Sequence, residues 1–171
     1  MVTTFYGVDA SRVFVDEPRD FYDDLKRVCS RYFVMSDDMR QRVVAQGFPA
    51  DRVFVHPAGV DLQRHPFRRR TLEQEETLHL VAVGRLVEKK GFDDLLRALA
   101  VVRDRSSRPF RCVVVGGGPQ EDDLLRLRDS LGLQDVVDFA GFMPVDEIIG
   151  LFERSHILLA PSKTAPDGDM E

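Results

Sequence analysis

The chain has 171 residues, of which 43% are hydrophobic and 31% charged, so it is long enough to bury the core of one domain or parts of two. Its 24 Lys and Arg against 29 Asp and Glu give a net charge of −5, which argues against a general nucleic-acid binder. No apolar run approaches the roughly 20 residues of a membrane span, and residues 1–11 lack a signal-peptide pattern. Cys29 and Cys112 lie far apart in apolar contexts, which predicts buried thiols in a reducing compartment.

The first third of the chain alternates short β-branched or aromatic runs with segments of helical spacing. Strands are predicted at residues 2–5, 31–35 and 52–56. A helix is predicted between residues 18 and 30, with Phe21, Leu25 and Val28 on its apolar face. A second helix begins at the N-cap Ser36 and ends at Gly47. Residues 1–56 have too few elements to close a core, which indicates part of an α/β domain.

Residues 57–77 interrupt this alternation. They contain prolines, a basic run at 68–70 and an acidic run at 73–76, which is typical of a surface connection between two folded units. The basic run alternatively provides an anion site.

Residues 78–171 repeat the alternation more clearly. Strands are predicted at 78–83, 111–115, 136–139 and 157–160, with helices between them. The helix after the first strand has an apolar stripe that includes Leu95, Leu99 and Val102, and Pro119 is placed at the first position of the next helix. Alternating strands and helices predict an α/β fold with a doubly wound, Rossmann-like parallel sheet.

In such sheets ligands bind beyond the carboxyl ends of the strands, where the strand order switches. The order 3-2-1-4 places that point between the loops 84–91 and 161–171. The first loop begins at Gly84 and contains Arg85 and Lys90, a pair of cations suited to a diphosphate beside a helix N-terminus. The second contains the acids Asp167, Asp169 and Glu171. Ordinary solvated charges near a turn remain the alternative for the cations.

Three glycines, Gly116, Gly117 and Gly118, follow the second strand of this unit. Glycine there permits a close backbone approach or a positive φ, and a plain tight turn is the alternative. The chain has neither a G-x-G-x-x-G fingerprint followed by an acid nor a phosphate-binding P-loop, which weighs against a nicotinamide enzyme and a P-loop NTPase. The four histidines show no metal-ligand spacing, and His79 and His156 at strand starts are predicted to be structural.

Several of these motifs together resemble one family. The segments GRLVEKKGFDDLLRAL, VVVGGGP, VDFAGFMP and LLAPSKTAPDGDME resemble the second domain of retaining GT-B glycosyltransferases, and the last is most similar to colanic-acid-type exopolysaccharide transferases. TFYGVDAS resembles the acceptor-side motif of the first domain. The resemblance implies an incomplete GT-B architecture, with residues 1–56 from the acceptor-side domain, 57–77 as the interdomain connection and 78–171 from the nucleotide-sugar-binding domain.

The resemblance also implies roles for individual residues. Arg85 and Lys90 match the pair that neutralises the departing nucleoside diphosphate, and Glu171 matches the acid that faces the transferred sugar. Donor-binding positions are Gly84, Gly116, Gly117, Gly118, Phe142 and Met143, and acceptor-side positions are Tyr6 and Asp9. The implied partners are a nucleotide-sugar donor and a glycan or lipid-linked acceptor, without a nucleic acid, a metal ion or another cofactor. The implied compartment is the cytoplasm, with peripheral association of the parent at the inner membrane face.

Two departures keep alternatives open. Tyr6 stands where the family usually has His, and an unshifted tyrosine is too weak a base to replace it at neutral pH. The family pattern also continues on both sides of the chain, so the sequence is interpreted as an internal segment with little activity alone. Since the family has further strands after the last one predicted here, that strand is expected to leave an uncovered edge and an apolar face. The alternatives are a non-hydrolysing sugar-nucleotide epimerase of the same architecture and a truncated, non-catalytic remnant or binding module.

Overall fold

The computed structural model describes residues 1–63, 67, 69, 71–73 and 76–166. The chain forms two compact units, Leu62–Lys163 and Met1–Asp61 together with Thr164–Glu171. The border at residues 61 and 62 falls inside the predicted connection 57–77, while the assignment of the flanking segments to acceptor and donor domains stays a prediction. The first unit contains β1 (Val2–Thr4), α1 (Val13–Asp16), α2 (Asp23–Val28), β2 (Arg31–Val34), α3 (Asp37–Ala45), a 3-10 turn (Ala50–Arg52) and β3 (Val53–Val55).

The first unit is a parallel three-stranded sheet in the order β1-β2-β3, packed around aromatic side chains. Tyr32 on β2 is fully buried, its ring centroid is 4.9 Å from that of Phe48, and its hydroxyl lies 3.0 Å from the Lys26 carbonyl oxygen at the end of α2. The predicted N-cap of α3 is confirmed, because the Ser36 hydroxyl accepts a hydrogen bond from the Met39 amide at 3.2 Å.

The helix predicted over residues 18–30 is shorter than expected. Regular α-helix covers only α2, and Phe21 and Val28, which the spacing places on an apolar face, are each more than half exposed. The predicted apolar face is therefore wrong at these two positions. The buried aromatic side chains of the unit come from β-strands and turns instead, with edge-to-face contacts that include Phe5 and Phe48 at 5.2 Å.

The second unit has the doubly wound architecture that the alternation predicts. Its sheet is wholly parallel in the order β6-β5-β4-β7, which places the switch of strand order between β4 and β7. The elements are β4 (Leu78–Val83), a 3-10 turn (Glu88–Lys90), α4 (Phe92–Arg105), β5 (Phe110–Val115), α5 (Glu121–Ser130), β6 (Val137–Gly141), α6 (Val145–Arg154) and β7 (Ile157–Leu159).

The core of the second unit forms where α4 packs on the sheet. Leu95 and Leu99 are buried there as predicted, but Val102 is 42% exposed because the helix turns that position away from the sheet. Pro119 lies before the first residue of α5 rather than at its first helical position, since Gln120 is the N-cap. The predicted positions of Val102 on the apolar face and of Pro119 inside the helix are therefore wrong.

A pair of histidines and an exposed edge strand mark the borders of this sheet. At the amino ends of β4 and β7, the His79 amide donates to His156 Nδ1 at 3.0 Å and the two rings stack, which confirms a structural role for both histidines. β7 is the last strand on its side of the described sheet, and Ile157 and Leu158 are substantially exposed, as predicted. Across the described residues, no helix is both long and apolar enough to cross a bilayer.

Candidate functional site

A pocket of about 610 Å³ opens at the carboxyl ends of β4, β5 and β6. This is the edge of a parallel sheet where ligands bind in doubly wound folds, and the volume lies within the usual range for small-molecule sites. All three strand-end loops and the helix α6 contribute to its lining. The lining residues are Val83, Gly84, Arg85, Val115, Gly116, Gly117, Gly118, Phe142, Met143 and Ile148. The predicted donor-binding positions are therefore brought together in one cavity.

The glycine triplet shapes the floor of this pocket through two different requirements. Gly116 has φ +134°, and a Cβ at that position would overlap the carbonyl oxygen of Gly84. Gly118 has no such φ, but a Cβ there would lie 2.5 Å from the Leu86 carbonyl oxygen. Gly117 meets neither condition, since its nearest neighbour would be a flexible Glu121 oxygen at 3.7 Å. Two of the three glycines thus allow a close backbone approach, which a plain turn does not require.

The loop 84–91 carries Arg85 and Lys90, and this cationic loop is anchored by Leu86. This side chain is fully buried, its amide donates to the Gly117 carbonyl at 2.9 Å, and its carbonyl accepts from the Gln120 amide at 3.2 Å. Arg85, the preceding residue, is exposed at the pocket, and in the described part of the chain no ion pair or side-chain hydrogen bond engages its guanidinium. The buried leucine therefore presents a planar cation to the cavity from a fixed backbone.

Lys90 reaches the same region without lining the pocket itself. Its Cδ and Cε atoms lie 3.5 and 3.6 Å from the position that a Cβ on Gly84 would occupy, so its aliphatic stem runs along that glycine. Lys90 ends the 3-10 turn, and Gly91, with φ +64°, then leads into α4. The two predicted cations therefore flank Gly84 beside the N-terminus of α4, where backbone amides and the helix dipole favour an anion.

Part of the pocket lining is apolar. Phe142 follows β6 and is 88% exposed, and Met143 and the α6 residue Ile148 also line the pocket. An aromatic ring that packs into no core keeps its face free for another planar ring. A cavity lined by both a cation and an aromatic side chain suits a ligand that carries both a phosphate and a base.

The acceptor-side candidates lie in the first unit. Tyr6 is 59% exposed, and its amide donates to Asp9 Oδ2 at 3.2 Å, while the Tyr22 hydroxyl donates to the Asp9 carbonyl at 3.1 Å. Burial, followed by the charges of Asp9 and Glu17, raises the pKa of Tyr22, so this donor keeps its proton. The third predicted catalytic position, Glu171, lies outside the described residues, as do Asp167 and Asp169.

One cluster beside the cationic loop is not predicted by the sequence. The Lys163 ammonium lies 2.8 and 2.9 Å from the two carboxylate oxygens of Asp93 and 2.8 Å from Oδ2 of Asp94. No local pattern could reveal this contact, because 70 residues separate Lys163 from Asp93. Among the residues that the structure describes, no group of three or more His, Cys, Asp or Glu side chains is placed to hold a metal ion.

Comparisons with known proteins extend these observations. The family model described as glycosyl transferases group 1 matches residues 63–168. The chain is 32% identical over 173 residues to the putative colanic acid biosynthesis glycosyltransferase WcaL of Escherichia coli K12, covering 100% of this chain and 42% of that protein. It is 30% identical over 171 residues to the amylovoran biosynthesis glycosyltransferase AmsK of Erwinia amylovora, covering 99% of this chain and 42% of that protein.

A solved structure shows the same fold. The crystal structure of Anabaena Alr3699/HepE in complex with UDP and glucose matches with a TM-score of 0.72 at 19% identity, covering 97% of this chain and 47% of that one. The chain thus spans less than half the length of these relatives, and its α/β fold is the incomplete GT-B architecture that the sequence predicts. On the evidence of a family model that matches most of its residues, the chain belongs to the glycosyl transferases group 1 family.

Proposed function

We propose that the chain contributes the nucleotide-sugar site of a glycosyltransferase in polysaccharide biosynthesis. The observation that carries this proposal is the pocket at the carboxyl ends of β4, β5 and β6, whose lining includes both Arg85 and Phe142. WcaL and AmsK are named as glycosyltransferases of colanic acid and amylovoran biosynthesis, and the structure of HepE contains UDP and glucose. None of these findings supports the epimerase alternative.

The proposed chemistry at this site is electrostatic stabilisation of a leaving group. When the bond from sugar to phosphate breaks, negative charge develops on the departing nucleoside diphosphate. A guanidinium offers two parallel hydrogen bonds to phosphate oxygens, and an ammonium offers a mobile point charge. In the proposed complex, Arg85 and Lys90 receive the diphosphate on both sides of Gly84, and the base stacks on Phe142. Departure of the diphosphate on these two cations, without a metal ion, is part of the proposal.

The acceptor and the cellular compartment are also part of this proposal. A glycan or lipid-linked acceptor is consistent with the polysaccharide pathways named for WcaL and AmsK. Two free, buried cysteines are compatible with the reducing conditions of the cytoplasm. Tyr6, Asp9 and Glu171 keep their proposed roles toward the acceptor and the transferred sugar.

The decisive experiment measures nucleoside diphosphate binding to the protein at its natural length. Titration calorimetry with UDP, ADP and GDP would identify the preferred base in the unmodified protein. The double variant Arg85→Ala/Lys90→Ala should then bind that ligand at least ~30-fold more weakly, because each charge-assisted hydrogen bond contributes about 1.5–3 kcal/mol.

A matched control removes two positive charges elsewhere. Arg105 and Arg128 lie in the last turns of α4 and α5, at the end of each helix away from the pocket. The variant Arg105→Ala/Arg128→Ala should bind the ligand within twofold of the unmodified protein. Undiminished affinity in the Arg85→Ala/Lys90→Ala variant would show that the diphosphate binds elsewhere, and an unmodified protein that binds none of the three ligands would refute the proposed function.

A further inference from the structure

The segment that follows β7 is fastened to the cationic loop and to the first turn of α4. The Lys163 amide donates to the Lys89 carbonyl at 2.8 Å, and the Lys163 ammonium pairs with Asp93 and Asp94 in the first turn of α4. Gly91 completes the contact, since a Cβ there would overlap the Pro161 carbonyl oxygen. The loops after β4 and β7, which flank the switch point of the sheet, are therefore held against each other.

The two aspartates have opposite effects on helix and ligand. Carboxylates in the first turn of α4 stabilise the helix through its dipole. The same charges lie two and three residues after Gly91, where the cationic loop ends, so they oppose any anion that approaches this loop. A cation that pairs with both carboxylates reduces this repulsion and leaves the two acids in the first turn of the helix.

Lys163 meets that requirement. Its side chain and that of Asp93 are 30% and 35% exposed, so the pair is partly shielded from solvent. Hydrogen bonds to Asp93 and Asp94 raise the pKa of Lys163. Burial alone would raise the pKa of Asp93, but the hydrogen bond and charge of Lys163, together with backbone hydrogen bonds, lower it overall. Lys163 and Asp93 are therefore both ionised at neutral pH.

We propose that Lys163 is a positioning residue of the donor site: it offsets part of the negative charge of Asp93 and Asp94 and thereby preserves the positive field of Arg85 and Lys90 toward a nucleoside diphosphate. This role depends on the proposed function, because it acts on the same ligand. It differs from a direct contact, since Lys163 is bonded to the aspartates and is not among the lining residues of the pocket.

The test compares charge removal with charge compensation in the protein at its natural length. Calorimetry measures the affinity for UDP, ADP and GDP, and circular dichroism shows that each variant is folded. Lys163→Met should weaken the preferred ligand about three- to tenfold, because two carboxylates are then left uncompensated near the diphosphate. Adding Asp93→Asn and Asp94→Asn should restore the affinity at least to that of the unmodified protein, because both negative charges are then removed together with the positive one, even though the ion pairs are still missing.

Two further variants serve as controls. Lys163→Arg keeps the charge and should bind the ligand within twofold of the unmodified protein. Arg128→Met removes a comparable cation that pairs with Asp129 in the last turn of α5, and it should leave the affinity unchanged.

The outcomes separate the two proposals. If Lys163→Met binds normally while Arg85→Ala/Lys90→Ala does not, the role of Lys163 is refuted and the proposed function stands. A loss in Lys163→Met that the two asparagines fail to restore would also overturn the electrostatic role, since a mechanical tether alone would explain it. If the unmodified protein binds none of the three nucleotides, both proposals fail.

Discussion

Replacing Gly118 by alanine tests whether the turn after β5 needs a bare backbone. Gly117, its neighbour in the same turn, provides the matched control, because neither residue has a positive φ and both substitutions add one methyl group. The only relevant difference is the surroundings. A Cβ on Gly118 would lie 2.5, 2.8 and 2.9 Å from the O, N and C atoms of Leu86, whereas a Cβ on Gly117 would meet only the end of the Glu121 side chain at 3.7 Å.

The expected loss of stability follows from the distances. Carbon and oxygen atoms settle about 3.5 Å apart, so Leu86 would have to move by about 1 Å. Its amide and carbonyl hydrogen bonds, at 2.9 and 3.2 Å, would then be broken or weakened. Two hydrogen bonds at about 1 kcal/mol each, with about 1–3 kcal/mol of strain, exceed the gain of about 0.4–1 kcal/mol from a stiffer unfolded chain. We expect Gly118→Ala to destabilise the second unit by about 2–4 kcal/mol, and Gly117→Ala to be neutral or to stabilise it by up to about 1 kcal/mol.

Urea unfolding followed by circular dichroism measures both free energies. An unchanged dependence on urea concentration would show that the variants unfold from the same kind of native state. A melting temperature roughly 10 °C or more lower for Gly118→Ala than for Gly117→Ala would agree with the same estimate. If the two variants differ by less than about 0.5 kcal/mol, Leu86 moves freely and the close approach does not constrain the turn.

Three other measurements test separate parts of the structure. Gly91→Ala and Gly141→Ala impose the same left-handed strain, at φ +64° and +68°, but of these two positions only Gly91 is crowded. In urea unfolding, Gly91→Ala should therefore lose about 1–3 kcal/mol more free energy of unfolding than Gly141→Ala, and equal losses would contradict the crowding. Burial raises the pKa of Cys112 to about 12, so iodoacetamide should label it at pH 8 only after unfolding, and rapid labelling of the native chain would disprove its burial. The pKa of Asp93 is lowered and that of Lys163 is raised, so the pair stabilises the fold above about pH 4 and below about pH 10.5. Lys163→Met should lower the free energy of unfolding by about 0.5–1 kcal/mol, as expected for a partly exposed pair. This loss should be constant from about pH 5 to 9 and should shrink as the pH falls through the Asp93 pKa or rises through the Lys163 pKa. A loss that persists at pH 2 would exclude this pair as its source.

The sheet of the second unit could be predicted because its signals are local and its topology is restricted. The runs at 80–83 and 112–115 are continuous apolar stretches of the kind that strands buried on both faces require. Right-handed crossovers between such strands leave few arrangements, so the switch point next to Gly84 could be predicted before any coordinates. The pocket itself opens on the other side of β4, at the ends of β4, β5 and β6, and no described residue after β7 lines it. Its glycines follow from the strand ends, whereas Phe142 and Met143 were expected only from the family resemblance.

The remaining features depend on contacts that no sequence window contains. The helix α2 is shorter than predicted, and the buried aromatic side chains of the first unit come from turns and strands. The helical spacing of Phe21 and Val28 therefore does not predict whether these side chains are buried. The separate reasons for Gly116 and Gly118 depend on which carbonyl of the neighbouring loop lies opposite each Cα. The ion pairs of Lys163 join segments 70 residues apart, and charged residues at a loop and at a helix start predict no particular partner.

Leu86 separates the shape of the cationic loop from its chemistry. Since this side chain is buried and both of its backbone groups are hydrogen-bonded, the conformational entropy of the loop is lost when the chain folds rather than when a ligand arrives. The exposed neighbour, Arg85, only has to choose a side-chain rotamer on binding. Substitutions at position 85 can therefore change which anions the loop prefers without redirecting its backbone, whereas substitutions at Leu86 alter the loop without touching the ligand. Within this family, such a division would let donor preference diversify on an unchanged scaffold.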